Sequence, residues 1–205
     1  MTRAWPRVAA AVALTLLPIT AAQGAPRRIA DAPDPYVHRA TATRFPARVG
    51  DFQRTDVTEY DQTGNDASAS YDLVRNGEKL MAVSIYLYPM EPSSGVAARD
   101  TLCRTEFAGI DDAIRRSESY AGVTRTFSGA ATGPGAGMTG LRMTHGFSAN
   151  FAGTAQPVRS DTYLYCPGAG HWYVQYRATW PASEAAAPDL AKLMTDLPSG
   201  DGVGR

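Results

Sequence analysis

Histidine and nearby acids are the side chains best suited to acid–base or metal chemistry near neutral pH, and this chain contains three histidines. His145 falls on one predicted strand, and His171 begins another. If those strands are neighbours, the two imidazoles can approach each other, with Asp161 as a nearby acid. A small periplasmic hydrolase with a histidine-containing site is therefore one hypothesis. A metal site needs further ligands at a regular spacing, which the sequence does not show, so we predict no metal, no cofactor and no catalytic residue.

Other patterns that would indicate an enzyme are missing or out of context. Residues 135–140 read Gly-Ala-Gly-Met-Thr-Gly and match G-x-G-x-x-G literally. A dinucleotide-binding loop follows a strand and opens a helix, whereas this stretch leads into a predicted strand. The sequence also contains no G-x-S-x-G nucleophile motif. Its formal net charge of zero gives no reason to expect a nucleic acid as partner. These observations favour a non-enzymatic role.

The first residues have the layout of a secretory signal peptide. Two arginines precede an apolar run at residues 8–22, and small residues follow. We predict that residues 1–24 form the signal peptide, with cleavage after Gly24 or Ala25. The alternative is an uncleaved anchor, but the apolar run is shorter than the roughly 20 residues that a membrane span needs. The mature chain is expected in the periplasm or outside the cell, with no membrane span.

The two cysteines are predicted to form a disulfide, which persists in such an oxidising compartment. Cys103 shares one face of a predicted helix with Phe107 and Ile110. Cys166 lies on a predicted strand, in phase with Leu164. Both thiols then point into one layer between the helix and the sheet. Two buried free thiols are the alternative.

Hydrophobic periodicity and turn residues predict an α+β fold. The apolar run Leu80–Tyr88 reads as a central strand, and the preceding Asn76-Gly77 is typical of a type I′ hairpin turn. A two-residue turn there pairs Arg75 with Glu78, Leu73 with Leu80, and Tyr71 with Ala82. The element order is β-β-β-α-β-β-β-β-α. We therefore predict a single antiparallel sheet of about six to seven strands with two helices packed on one face.

The domain boundaries follow from composition. Residues 25–43 are rich in proline, alanine and charge, and we predict a flexible arm there. Residues 44–198 form the single domain, and residues 199–205 form a disordered tail.

Two stretches resemble uncharacterised secreted bacterial proteins. The first runs from Phe45-Pro through Val49-Gly-Asp-Phe-Gln-Arg54 and Ser70-Tyr71 to Val83-Ser-Ile-Tyr-Leu-Tyr-Pro89. The second is Trp172-Tyr-Val-Gln-Tyr-Arg-Ala-Thr-Trp-Pro181. The predicted architecture is also similar to the Mog1/PsbP-like α+β fold. The likeness covers about residues 44–198 and implies an accessory or binding role, with no catalytic residue to carry over.

One face of the predicted sheet is rich in tyrosine and arginine. If Met81, Val83, Ile85 and Leu87 face the helices together with Leu141, Met143, Cys166, Trp172 and Val174, the tyrosines fall on the other side. The candidate binding residues on that side are Tyr71, Tyr86, Tyr88, Arg142, Tyr173 and Arg177. Tyrosine offers large contact area with a polar tip, and arginine stacks on it or binds a carboxylate. We expect a protein partner or a small acidic or glycan-like ligand there. The alternatives are a packing layer covered by the arm or by loop 129–137, or a dimer interface.

Overall fold

The computed structural model describes residues 25–92, 94–133, 139–166 and 171–197. The predicted signal peptide and disordered tail lie outside these ranges. Four two-residue strands come first: β1 (Arg27–Arg28), β2 (Tyr36–Val37), β3 (Arg44–Phe45) and β4 (Arg48–Val49). Longer strands follow: β5 (Phe52–Glu59), β6 (Ala67–Arg75), β7 (Glu78–Pro89), β8 (Ala121–Thr132), β9 (Thr139–Phe151), β10 (Thr154–Tyr165) and β11 (Trp172–Pro181). Helix α1 (Val96–Arg115) lies between β7 and β8, and α2 (Ala187–Asp196) follows β11.

The described strands form one large antiparallel sheet and one small one. The large sheet has nine strands in the order β1-β5-β6-β7-β11-β10-β9-β8, with β4 also paired to β5. Strands β2 and β3 pair separately. The predicted α+β fold with a single sheet of six to seven strands is therefore wrong, because the described chain is mostly β with two helices. The longer strands have the apolar patterns that predict them, but a strand of two residues is too short to show any periodicity.

The two helices pack on opposite faces of the large sheet, so the prediction that both lie on one face is also wrong. Leu190 and Leu193 of α2 belong to a buried cluster with Val83 of β7. Cys103 of α1 belongs to a different cluster with Leu164 of β10. Because successive side chains of a strand point to opposite faces, the sheet is the middle layer of the fold. We call its two sides the α1 face and the α2 face.

A β-bulge beside the Asn76-Gly77 turn, between β6 and β7, decides which side of the sheet the residues of β6 face. Asn76 and Gly77 have the positive φ values of 52° and 81° that a type I′ turn requires. Arg75 pairs with Glu78 as predicted, but the register then shifts, so that Leu73 pairs with Met81 rather than Leu80. Tyr71 consequently pairs with Val83 rather than Ala82. Because paired residues share a face of the sheet, this shift of one residue places Tyr71 on the face of Val83 instead of the face of Ala82.

Residues 25–43, predicted to be a flexible arm, pack against the large sheet. The guanidinium of Arg54 donates hydrogen bonds to the carbonyls of Phe45, Ala32 and Pro33, with lengths of 2.9 Å and 2.7 Å for the last two. His38 is fully buried, and its ring meets that of Trp172 edge-on at 5.2 Å. The domain therefore begins before residue 44.

The predicted disulfide is confirmed. It joins Cys103 of α1 to Cys166, which directly follows β10, with 6.1 Å between the Cα atoms and a sequence separation of 63. The bond ties α1 to its face of the sheet. No helix in the described part of the chain is long and apolar enough to cross a membrane.

Candidate functional site

The structure divides the six candidate binding residues between the two faces of the sheet. Four lie on the α1 face, where adjacent strands pair Tyr88 with Tyr173, Tyr86 with Gln175, and Ser84 with Arg177. Tyr71 and Arg142 lie on the α2 face, because Tyr71 pairs with Val83 and Arg142 with Tyr163. The six residues therefore do not form one surface. Leu141, Met143 and Cys166, predicted to share a side with Val174, also lie on the opposite face from it.

Tyr71 and Arg142 have structural partners on the α2 face. Tyr71 is fully buried, and its hydroxyl donates a hydrogen bond of 2.9 Å to the carbonyl of Pro46. The guanidinium of Arg142 bonds at 2.6 Å to the buried carboxylate of Asp161 and lies over the ring of Tyr163 at 5.4 Å. Tyr71 is therefore a packed core residue and does not belong to an open surface.

Tyr86 and Tyr88 line an open groove on the α1 face, which we call the tyrosine groove. Its volume is about 780 Å³, within the range of small-molecule sites. The lining residues are Ala25, Pro26, Tyr60, Asp61, Asp66, Tyr86, Tyr88, Glu106 and Gln175. Strands β7 and β11 form the floor, the connection between β5 and β6 forms one wall, and Glu106 of α1 contributes to the other. Five stretches that are separate in sequence therefore contribute to it.

Two tyrosine pairs organise the aromatic part of this groove. The rings of Tyr60 and Tyr86 are 6.3 Å apart at 34°, and those of Tyr88 and Tyr173 are 5.1 Å apart at 36°. Both separations fall in the range of favourable aromatic contacts. Tyr173 thus packs against Tyr88 without lining the groove itself. It lies beside Tyr88 on the same face, as predicted.

Hydrogen bonds hold the tyrosine hydroxyls in place. The hydroxyl of Tyr88 lies 2.8 Å from Oε1 of Glu106 and 3.3 Å from Oε1 of Gln175. A phenol has one hydrogen to donate, and the shorter contact with a carboxylate takes it. The pKa of Tyr88 is well above its ordinary value, first because of burial and then because of the negative charge of Glu106. Tyr88 therefore stays neutral, and the amide oxygen of Gln175 keeps capacity to accept a further hydrogen bond.

The two aspartates of the groove, Asp61 and Asp66, differ in the groups that stabilise the ionised carboxylate. Burial acts to raise the pKa of Asp61, but hydrogen bonds from the Thr63 hydroxyl and from nearby backbone N–H groups outweigh burial and lower it. The Thr63 hydroxyl and the Asn65 N–H donate at 2.6 Å and 2.9 Å. The pKa of Asp66 is raised by burial and by the charge of Asp61. The carboxylate of Asp66 has no hydrogen-bond or ion-pair partner among the residues that the structure describes.

Arg177, the remaining candidate, lies outside the lining. Its guanidinium stands 5.1 Å above the ring of Tyr120, and its Nε donates a long hydrogen bond of 3.5 Å to the Ser160 hydroxyl. Arg177 is thus directed at its own neighbours on the α1 face. The groove contains neither of the two arginines that led us to expect an acidic ligand.

The histidines do not form the predicted hydrolytic arrangement. His145 is fully buried on the α1 face, where its Nε2 lies 2.8 Å from Oδ1 of Asp111. Arg125 also bonds to Asp111, at 2.7 Å. Asp161 lies on the opposite face, and His171 is exposed at the start of β11. His145 has an acid within hydrogen-bond reach, but no exposed surface through which a substrate could contact it. In the described part of the chain, no three His, Cys, Asp or Glu residues are placed to hold a metal ion.

Sequence reasoning missed most of the acidic side of the groove. Tyr60, Asp61 and Asp66 belong to the turn between β5 and β6, and the pattern of that turn indicates only a change of chain direction. For Glu106, the sequence contained an indirect indication that it lies near the sheet. It follows Cys103 by three residues, so the predicted disulfide already directs that turn of α1 toward the sheet. Searches of protein-family models and of curated proteins found no match to this chain.

Proposed function

We propose that this chain is a periplasmic or secreted, non-enzymatic binding module that takes its ligand in the tyrosine groove. The observation that carries the proposal is the groove itself, about 780 Å³ in volume, with Tyr60, Tyr86 and Tyr88 among its lining. Tyrosine side chains give large contact area at a small cost in conformational entropy and still offer a polar tip. Such a lining suits recognition of a small molecule or of a short segment of a partner.

Binding without catalysis is the better interpretation of the same residues. Among the described residues, the lining contains no histidine, cysteine, serine or threonine, so the hydroxyl or thiol nucleophile beside a histidine base is missing there. Tyr88 is held neutral by burial and by the charge of Glu106. The acid–histidine pair of His145 and Asp111 is closed to solvent. The resemblance to uncharacterised secreted proteins, which implies an accessory or binding role, is in line with this proposal.

A ligand-observed NMR screen tests the proposal. The purified protein is screened against a fragment library with equal numbers of anionic, neutral and cationic members, and the hits are repeated on Tyr86→Ala. Tyr163→Ala is the matched control, because Tyr163 is a partly exposed tyrosine on the α2 face. We expect at least one charge class to bind wild type and the control but to lose binding in Tyr86→Ala. If no fragment class is sensitive to Tyr86, the groove is not a binding site.

Export is the second part of the proposal, supported by the signal-peptide pattern and the disulfide. Amino-terminal sequencing of the protein from a periplasmic or culture fraction is expected to start at Ala25 or Pro26. A full-length chain retained in the cytoplasm would contradict it.

A further inference from the structure

We infer that the ligand of the tyrosine groove is an organic cation, bearing an ammonium or guanidinium group; this rests on the proposed binding role of the groove. The described residues of the lining include three carboxylates, those of Asp61, Asp66 and Glu106, and no lysine, arginine or histidine. An anionic ligand, which the tyrosine- and arginine-rich face led us to expect, would meet like charge on entering. The lining charge therefore selects the opposite sign.

Basic residues close to the groove in sequence are directed elsewhere. Arg27, next to the lining residue Pro26, is paired with Glu59. Arg104, two residues before Glu106, borders a separate cavity beside the disulfide. Arg177, two residues after Gln175, lies over Tyr120. These three side chains thus do not supply the groove with a countercharge, and the α-ammonium that the proposed cleavage leaves at Ala25 or Pro26 offsets only one of the three carboxylates.

Carboxylates elsewhere in the fold are neutralised where they are buried. Glu59 pairs with Arg27, Asp111 with Arg125, and Asp161 with Arg142. Asp66 and Glu106 are also partly withdrawn from solvent, yet no ion pair is found for either within the described ranges. Partly buried carboxylates close to one another repel, and a bound cation relieves that repulsion. A cation bound in the groove therefore meets two partly buried carboxylates that have no ion-pair partner within the described ranges.

The aromatic side chains favour the same ligand class. The face of an aromatic ring carries negative potential, and ring faces within about 6 Å attract ammonium and guanidinium groups. The Tyr60–Tyr86 pair, with centroids 6.3 Å apart, stands beside the acids of the β5–β6 turn. The amide oxygen of Gln175 and the carboxylates accept hydrogen bonds from N–H donors. Carboxylates and ring faces together suit an organic cation, including a quaternary ammonium, which has no N–H to donate.

Choline and its neutral isostere, in which carbon replaces the quaternary nitrogen, make a direct test, because they differ in charge and hardly in shape. Binding to the purified protein is measured by NMR titration, with acetate as an anionic probe. We expect choline to bind about tenfold more tightly than the isostere. Tyr86→Leu, which keeps apolar bulk but removes the ring, should lose most of that preference, and raised salt should weaken choline alone.

Charge-removing variants locate the effect. Glu106→Gln keeps an acceptor for the Tyr88 hydroxyl, and Asp66→Asn keeps the side-chain shape, so each should lower choline affinity by about threefold or more. Glu118→Gln is the matched control, an exposed glutamate just beyond α1, and should change nothing. Unchanged melting temperatures verify that each variant folds.

The outcomes separate the two proposals. If the isostere or acetate binds as well as choline and Tyr86→Leu abolishes that binding, the groove binds ligands but the cation inference is wrong. If choline binds equally to Tyr86→Leu, Glu106→Gln and wild type, the cation binds elsewhere and the inference also fails. If no probe and no screened fragment is sensitive to Tyr86, the binding role itself fails.

Discussion

At the scale of single residues, the two candidate arginines have different environments and should respond differently to removal. Arg142 bonds at 2.6 Å to Asp161, whose side chain is fully buried. Arg142→Ala leaves that carboxylate with Arg159 and the Thr144 hydroxyl as partners. We expect a loss of about 2–3 kcal/mol in the free energy of unfolding, measured by urea denaturation.

Arg177→Ala is the comparison variant. Arg177 contributes a ring contact with Tyr120 and one long hydrogen bond, so its removal should cost about 1 kcal/mol or less. Equal losses in the two variants would show that the Arg142–Asp161 pair adds nothing beyond ordinary packing.

Asp66 makes cation binding dependent on pH. Burial, and then the charge of Asp61, raises the pKa of Asp66 above its ordinary value of 3.8. The ionised carboxylate binds the cation and the protonated form does not. Choline affinity should therefore be full at neutral pH and fall as the pH drops through this raised pKa. In Asp66→Asn the affinity should be lower at neutral pH and should change less over the same interval. NMR titrations across the acidic range measure both, and identical pH profiles would contradict the assignment.

At the scale of elements, the disulfide holds α1 over the groove. Cys103 lies one turn before Glu106 on α1, and the bond closes a loop between cysteines with a sequence separation of 63. Chain entropy for a loop of that length corresponds to about 4 kcal/mol of stabilisation, an upper figure for real proteins. A Cys103→Ala/Cys166→Ala variant should unfold at clearly lower urea concentration than oxidised wild type. It should also bind choline more weakly, because Glu106 is less firmly placed.

Wild type treated with reductant is the control for that variant, and the two should behave alike. If the variant keeps its choline affinity while losing stability, α1 is positioned over the groove without the disulfide.

The sequence predicted the elements better than the side of the sheet that each residue occupies. The seven longer strands, both helices and the disulfide follow from apolar periodicity, turn residues and cysteine placement. Faces depend on register, and one bulge after the Asn76-Gly77 turn moves Tyr71 to the α2 face. In the last hairpin, Val174 pairs with Tyr165, so its side chain lies on the opposite face of the sheet from that of Leu164. A periodic pattern does not reveal an inserted residue.

The candidate site was predictable in part for the same reason. Tyr86, Tyr88 and Tyr173 are neighbours because β7 and β11 are the central pair of the sheet. Arg142 was predicted to share their face only from the alternation of side chains along its strand, and that prediction was wrong. The acids come from a turn and from a helix, whose approach to the sheet depends on tertiary packing rather than on local pattern.

At the scale of the whole molecule, the sheet is a middle layer with cover on both sides. The N-terminal segment and α2 cover one face, and α1 covers part of the other. Tyrosines that an exposed sheet would present to solvent are therefore buried on both faces. We expect the protein to unfold at alkaline pH in one transition, because these tyrosines belong to one cooperative fold.

Alkaline unfolding is the consequence that tests this arrangement. Burial, and then the hydrogen bond with Glu59, raises the pKa of Tyr36 from 10.0 to about 12. Burial raises the pKa values of Tyr71, Tyr165 and Tyr176 as well. The folded state thus holds these protons more tightly than the unfolded chain, which ionises near 10. The stability is complete below about pH 10 and is lost as the pH rises toward 12 and beyond.

Urea denaturation at stepped alkaline pH, followed by circular dichroism and by tyrosinate absorbance, measures that loss. The two signals should change together in one transition, because buried tyrosines ionise when the fold opens. Tyr36→Phe should lose stability less steeply over the same pH interval, since one of the coupled protons is gone. Tyr86→Phe is the matched control, as Tyr86 lies in the open groove. Gradual ionisation of all tyrosines in a protein that stays folded would show that the sheet is not covered on both faces.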